Sequence, residues 1–253
     1  MQAILSDIHG NVDAFEVVLR DIERQKVTEI VSLGDFIGYG ASPKECIDLA
    51  LNFNVILKGN HEDALLEEFQ GSTFNMRARA AIEWTRDQLS MLTEDPEEKS
   101  ANAKRWDFLG SLENIHSEGE VTYVHATPRD PVREYLYPRD IYRPQKLEAI
   151  FDLVKWICFV GHTHVPGVWT EEMVYFTPEE VNYSYKLSPK KTIINVGSVG
   201  QPRDGDPRAS YVILDGDTIR FRKLVYPVEK AVDRMKRVPR LDPFLAERLR
   251  EGK

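Results

Sequence analysis

Apolar and polar positions switch between two periods along the first third of the chain. Residues 2–6 (QAILS) are a short apolar run that ends in the turn-like DIHGN. Val12, Phe15, Val18, Leu19 and Ile22 then recur at helical spacing within 12–24. Residues 29–33 (EIVSL) read as a buried strand closed by Gly34-Asp35. A loop with Gly38, Gly40 and Pro43 leads to a helix near 44–51, and 53–57 (FNVIL) is a third strand closed by Gly59-Asn60. This β-α-β-α-β order predicts the α/β class, with a mostly parallel sheet and crossover helices.

Helical spacing returns at 74–92 and at about 103–112, with the polar stretch 93–102 (TEDPEEKSAN) between them read as a solvated loop. Residues 120–125 read as a strand, 127–146 as a loop rich in Pro, Arg and Tyr, 147–154 as a helix, and 156–160 as a strand ended by Gly161-His162. The stretch from about 167 to 225 is β-rich, with Asp215-Gly216 as a hairpin turn between 210–214 and 218–224. Two short helices are expected within 227–250. Neither a repeat nor a linker interrupts the pattern, which predicts one domain over 1–253.

Composition narrows the function classes. The formal net charge of −8 disfavours non-specific binding to nucleic acid or to an anionic membrane, since the far field repels both. Apolar runs are too short to span a bilayer, and the N-terminus lacks the features of a signal peptide, so a cytoplasmic protein is expected. Cys46 and Cys158 fit no metal-binding spacing and are expected reduced and buried.

Candidate chemistry gathers where the strands end, which is where parallel α/β sheets build their sites. Asp7 and His9 follow the first strand, Asp35 the second, Asn60 and His61 the third. His125 ends the strand at 120–125, and His162 and His164 follow the strand at 156–160. Five of the six histidines fall at these ends; only His116 lies elsewhere. Each fragment alone has a plain structural explanation, such as an Asx turn at Asp7 or a helix cap at Asn60. The ordered set does not. Imidazole, carboxylate and amide oxygen together suit divalent manganese, iron or zinc. The donors are too many for one ion and enough for two, with Asp35 as the natural shared ligand. Neutral His and Asn donors leave a pair of dications net positive, which suits a phosphate substrate.

The set Asp7-x-His9, Gly34-Asp35, Gly59-Asn60-His61-Glu62, His125 and Gly161-His162-Thr163-His164 resembles the calcineurin-like metallophosphoesterases. Asn195 to Arg203 (NVGSVGQPR) resembles a late strand and loop of their bacterial and archaeal phosphodiesterase-like branch, which includes diadenosine-tetraphosphatase-like members. The resemblance covers residues 1 to about 225. It implies a four-layer α-β-β-α sandwich with two mixed β-sheets. It also implies two divalent transition-metal ions, manganese first, with iron, zinc or nickel as other fits. Asp7, His9, Asp35 and His164 would hold one ion, and Asp35, Asn60, His125 and His162 the other. His61 would be the general acid or transition-state stabiliser, with Glu62 as its acidic neighbour, and a metal-bridging hydroxide would attack phosphorus.

Three further expectations concern the substrate, a small phosphoester or nucleotide. Arg133 and Arg139, within the Arg- and Tyr-rich 127–146, would grip phosphate while tyrosines there stack on a base; the alternative is a solvated, ion-paired loop. Arg203 would also meet phosphate, by resemblance, or else pair with Asp204 or Asp206. The stretch 74–112, largely missing from shorter members of the branch, would be a lid over the site or plain core through Ile82, Trp84 and Leu89. The activity expected is phosphodiester or phosphomonoester hydrolysis. Phosphoanhydride hydrolysis shares its chemistry, and a non-catalytic metal-binding scaffold, as in the retromer scaffold subunit, is the rival class. A homo-oligomer through the aromatics of 127–146 is left open.

Overall fold

The computed structural model describes residues 1–67 and 74–253. Strand β1 (Gln2–Leu5) is followed by helix α1 (Val12–Arg24), β2 (Glu29–Ser32), α2 (Pro43–Ala50) and β3 (Val55–Ile56). These strands pair in parallel, β1 on β2 and β2 on β3, as the opening pattern predicts. Helices α3 (Asn60–Leu66), α4 (Met76–Gln88) and α5 (Pro96–Gly110) come next. Then follow β4 (Ile115–Glu118), β5 (Val121–Val124), a 3-10 turn at Pro138–Tyr142, and α6 (Pro144–Phe151). The remaining strands are β6 (Ile157–Val160), β7 (Gly167–Thr170), β8 (Tyr175–Phe176), β9 (Ser184–Lys186), β10 (Thr192–Asn195), β11 (Ala209–Asp215) and β12 (Thr218–Leu224). Helices α7 (Val228–Lys236) and α8 (Pro243–Glu247) and a 3-10 turn at Arg248–Arg250 follow.

The strands form two six-stranded mixed sheets, ordered β3-β2-β1-β11-β12-β9 and β4-β5-β6-β10-β7-β8. Strand alternation builds the layers. Ile4 of β1 packs between the sheets, with Phe159 of β6, Ile194 of β10 and Val212 of β11. Its neighbours Ala3 and Leu5 face the other way, into the core under α1, α2, α4 and α7. On β6, Ile157 and Phe159 face the first sheet, while Cys158 and Val160 pack under Leu147, Ile150 and Phe151 of α6. Both faces of the central strands are therefore apolar, and the result is the four-layer α-β-β-α sandwich. Both cysteines are buried free thiols. Among the described residues no helix is long and apolar enough to cross a membrane.

Two departures from the sequence reading have clear causes. The stretch 93–102 is not a loop throughout: α5 begins at Pro96. Asp95 caps it by accepting the Glu97 N–H, Pro96 occupies the first turn, and Glu97 and Glu98 sit at the positive end of the helix. Polarity there marks a helix start. Strand β4 was not foreseen at all. It is mostly exposed and, among the described residues, pairs only with β5, so its residues (IHSE) carry no apolar alternation. Within 127–146 the structure adds the 3-10 turn and the start of α6.

Candidate metal centre

The carboxyl ends of β1, β2, β5 and β6 meet at one place, and the sequence-predicted His and Asp donors arrive there together. The approach is close. A Cβ on Gly161, just past β6, would lie 2.3 Å from Ser6 Oγ and 2.6 Å from Asp7 Oδ2, so only glycine lets the two strand ends touch. The turns are sharp: Asp7, His9, Asp35, His162 and His164 all adopt left-handed backbone, with φ between 48° and 63°. Asp and His tolerate that region better than most residues, but it is sparsely populated and concentrates at functional sites.

Two groups of donors result. In the first, His164 Nε2 lies 3.1 Å from both Asp7 Oδ1 and His9 Nε2. In the second, His125 Nε2 lies 3.0 Å from Asn60 Oδ1 and 3.1 Å from His162 Nδ1. Asp35 Oδ2 sits between them, 3.6 Å from His9 Nε2 and 3.5 Å from His125 Nε2. Asp7, His9 and His164 form one set that could hold an ion, and Asp35, His125 and His162 another. His61 also comes within range of His9 and Asp35.

Backbone carbonyls determine which ring nitrogens are free. His9 Nδ1 donates to Ile37 O at 3.0 Å, His164 Nδ1 to Gln201 O at 2.5 Å, and His162 Nε2 to Arg133 O at 3.2 Å. A neutral imidazole has one N–H, so His9 Nε2, His164 Nε2 and His162 Nδ1 are left as bare lone pairs. In the first group two such nitrogens and a buried carboxylate oxygen that makes no hydrogen bond point at one another. Among the described residues no donor is hydrogen-bonded to that carboxylate oxygen, and a cation would reconcile lone pairs at this spacing. These carbonyls were not visible in the sequence, because a backbone acceptor carries no residue signature.

Electrostatics agree. Burial pushes His125 down to about 4 and His162 and His164 to about 3, so the rings are neutral, which is the ligand form. Asp35 goes the other way. Burial, then the charges of Glu62 and Asp7, raises it well above the usual range. Burial and the neighbouring His9 and Arg203 hold His61 well below a normal histidine.

Glu62 corrects an expectation. It does not face the site: it is fully buried and is not among the residues lining the cavity. Its Oε2 accepts the N–H groups of Asp35 and Gly59, and its Oε1 those of Phe36 and Ile37, at 2.8–3.2 Å. It therefore holds together the two loops that carry Asp35 and His61. Burial raises it to about 7, against the opposing pull of those four N–H groups. Glu62→Gln leaves one oxygen to do the work of two. It is expected to cost at least about 2 kcal/mol in urea unfolding of the metal-free protein, even with the repulsion of Asp35 relieved. An unchanged midpoint would refute this role.

A cavity of about 290 Å³ opens over the donors, lined by Asp35, Asn60, His61, His162 and His164 together with Tyr39, Phe74, Asn75, Arg133, Tyr135 and Arg203. Arg203 is not taken by its acidic neighbours: Lys223 pairs with Asp204 and Asp206, and Arg208 with Asp206. Among the described residues Arg203 has no ion pair, and its buried Nε makes no hydrogen bond. Arg133 lines the cavity while pairing with Asp63. Arg139 does not reach the cavity; it lies over the Tyr137 ring at 5.0 Å. Elsewhere in 127–146 the ion-paired reading describes Arg129 with Glu134 and Arg143 with Asp140. Of the supposed lid, only Phe74 and Asn75 touch the cavity, whereas Ile82, Trp84 and Leu89 are core. Phe74 and Tyr135 enter the cavity from the two segments, 74–112 and 127–146, that the sequence offered for covering the site and meeting the substrate, whereas nothing in the local sequence marks Tyr39.

Two packed mixed sheets whose strand ends converge on buried His and Asp donors define the metallophosphoesterase class. The calcineurin-like phosphoesterase superfamily domain matches residues 1–218, and the chain belongs to that family. It is 36% identical over 259 residues to an uncharacterized protein of Methanocaldococcus jannaschii, a match spanning 100% of this chain and 98% of that one. The crystal structure of a metallophosphoesterase from Sphaerobacter thermophilus is similar with a TM-score of 0.83 and 36% identity, over 100% of this chain and 99% of that one. A hypothetical protein from Pyrococcus horikoshii shares the fold, with a TM-score of 0.77 at 18% identity, over 100% of this chain and 99% of that one.

Proposed function

We propose that this phosphoesterase hydrolyses a small phosphodiester or phosphomonoester with two metal ions bound at the paired donor groups. The observation that carries this reading is the opposition of unprotonated donor atoms in two groups that share Asp35. Asp7, His9, Asp35 and His164 would hold one ion, and Asp35, Asn60, His125 and His162 the other. When bound, such ions activate water and polarise phosphoryl oxygens. Manganese, iron, zinc or nickel suits these donors.

The protein's own groups supply the rest. Arg203, which has no ion pair among the described residues, offers its guanidinium to the phosphate from the cavity wall. His61 lines the same cavity and stands close to Asp35, placed to give a proton or hydrogen bond to the leaving oxygen. A cavity of about 290 Å³ favours a small ester over a polymer.

The test is metal removal and return, with bis-p-nitrophenyl phosphate and p-nitrophenyl phosphate as substrates. Chelation is expected to abolish hydrolysis, and Mn²⁺ or Ni²⁺ to restore it at two ions per chain. The diester-to-monoester ratio then identifies the ester class. Hydrolysis that survives complete removal of metal refutes the reading; full occupancy without hydrolysis of any phosphate ester turns it to the scaffold class.

A further inference from the structure

Tyr135 stands on the cavity wall. Its ring stacks on His162 with centroids 3.9 Å apart and planes at 25°. It also lies parallel to Tyr137, at 5.3 Å and 5°, and Tyr137 in turn carries the Arg139 guanidinium at 5.0 Å. These contacts hold the ring in place, while the residue stays 40% exposed. Its hydroxyl is different. Among the described residues it makes no hydrogen bond, although Tyr135 shares the cavity with Asn60, His61 and Arg203. Arg203, Tyr39 and Asp35 lie near enough to act on the phenol electrostatically. A neutral phenol is a donor at working pH, and one that lines the same cavity as Arg203, which has no ion pair among the described residues, suits an anion.

We propose that Tyr135 is a phosphoryl-binding residue, whose hydroxyl donates a hydrogen bond to a non-bridging oxygen of the bound ester beside Arg203. The proposal rests on the phosphoesterase reading above for the identity of the anion. It gives the Tyr-rich segment a defined part in the site: the ring braces His162 and the hydroxyl meets the substrate. No proton is transferred and no bond is made or broken.

Tyr135→Phe separates the two parts, because it keeps the stack and deletes the donor. With the manganese-loaded protein, metal content per chain is measured, along with calorimetric binding of inorganic phosphate and kcat and KM for bis-p-nitrophenyl phosphate. The expected result is unchanged metal content and phosphate binding weakened about ten- to a hundredfold, the usual worth of a hydrogen bond to a charged group. Tyr135→Ala removes the stack as well and is expected to lower metal occupancy in addition. Unchanged phosphate affinity and KM in Tyr135→Phe overturn the proposal, as does loss of metal from that variant. If wild type hydrolyses no ester yet Tyr135→Phe weakens phosphate binding, the proposal stands and the catalytic reading falls. If wild type is active and Tyr135→Phe matches it in every measurement, the reverse holds. A wild type that hydrolyses the esters but binds no phosphate sinks the proposal and leaves the catalytic reading standing; one that does neither sinks both.

Discussion

Asp35→Asn is expected to remove hydrolysis of both p-nitrophenyl substrates and to reduce bound metal below two ions per chain. The carboxylate oxygen Oδ2 stands 3.6 Å from His9 Nε2 and 3.5 Å from His125 Nε2, so it alone belongs to both donor groups. Asparagine preserves the volume, and its carbonyl can still accept the His61 N–H that Asp35 Oδ1 accepts at 2.9 Å. What disappears is the negative charge that the two proposed cations would share. Losing a group that merely orients a ligand costs ten- to a hundredfold in affinity or activity, so losing the shared ligand should exceed about a hundredfold. The metal-free variant should melt no lower than wild type. In the absence of cations Asp35 is a buried acid beside Glu62 and Asp7, whose charges oppose its ionisation, and the amide relieves that opposition. A variant that is fully active with two ions per chain would end the shared-ligand account, while a variant that fails to fold would contradict the stability argument.

The donors were legible in the sequence for a physical reason. A strand that is apolar on both faces announces itself as a run, and the residue just past it is where a parallel sheet puts its chemistry. Asp7, Asp35, His125 and His162 each follow such a run, so their convergence could be read before their distances. Legibility failed where the cause was not a side-chain type. The acceptors that set the imidazole tautomers are the carbonyls of Ile37, Gln201 and Arg133, and their residue names are incidental. Glu62 was misjudged because its neighbours in sequence are site residues, whereas its carboxylate points beneath the loop into four backbone N–H groups. Arg139 was misjudged by proximity along the chain: it is six residues from Arg133, but the turn at Pro138–Tyr142 lays it over Tyr137. Helix α5 was misread because its first turn is polar, which is what a capped helix start requires.

His61 has two competing roles that geometry alone leaves open. It lies close enough to His9 and Asp35 to join them around an ion, and it lines the cavity as a free ring would. Its setting favours the second. Tyr39 packs against the ring at 4.6 Å and Phe74 meets it edge-on at 4.9 Å and 89°, a rigid aromatic mount of the kind a proton donor needs. His61→Gln is therefore expected to keep both metal ions and to lower kcat by about a hundred- to ten-thousandfold, the usual range for a positioned acid–base group. Gly38→Ala offers the same test while leaving the imidazole itself in the chain. Gly38 has φ of +80°, and a Cβ there would fall 2.0 Å from His61 Nδ1, so the methyl must displace the ring. The two variants should lose kcat in parallel at unchanged metal content, measured by turnover of bis-p-nitrophenyl phosphate and by elemental analysis of the same preparations. If His61→Gln instead sheds metal as Asp35→Asn does, His61 is a ligand, and the proton for the leaving group comes from elsewhere in the cavity.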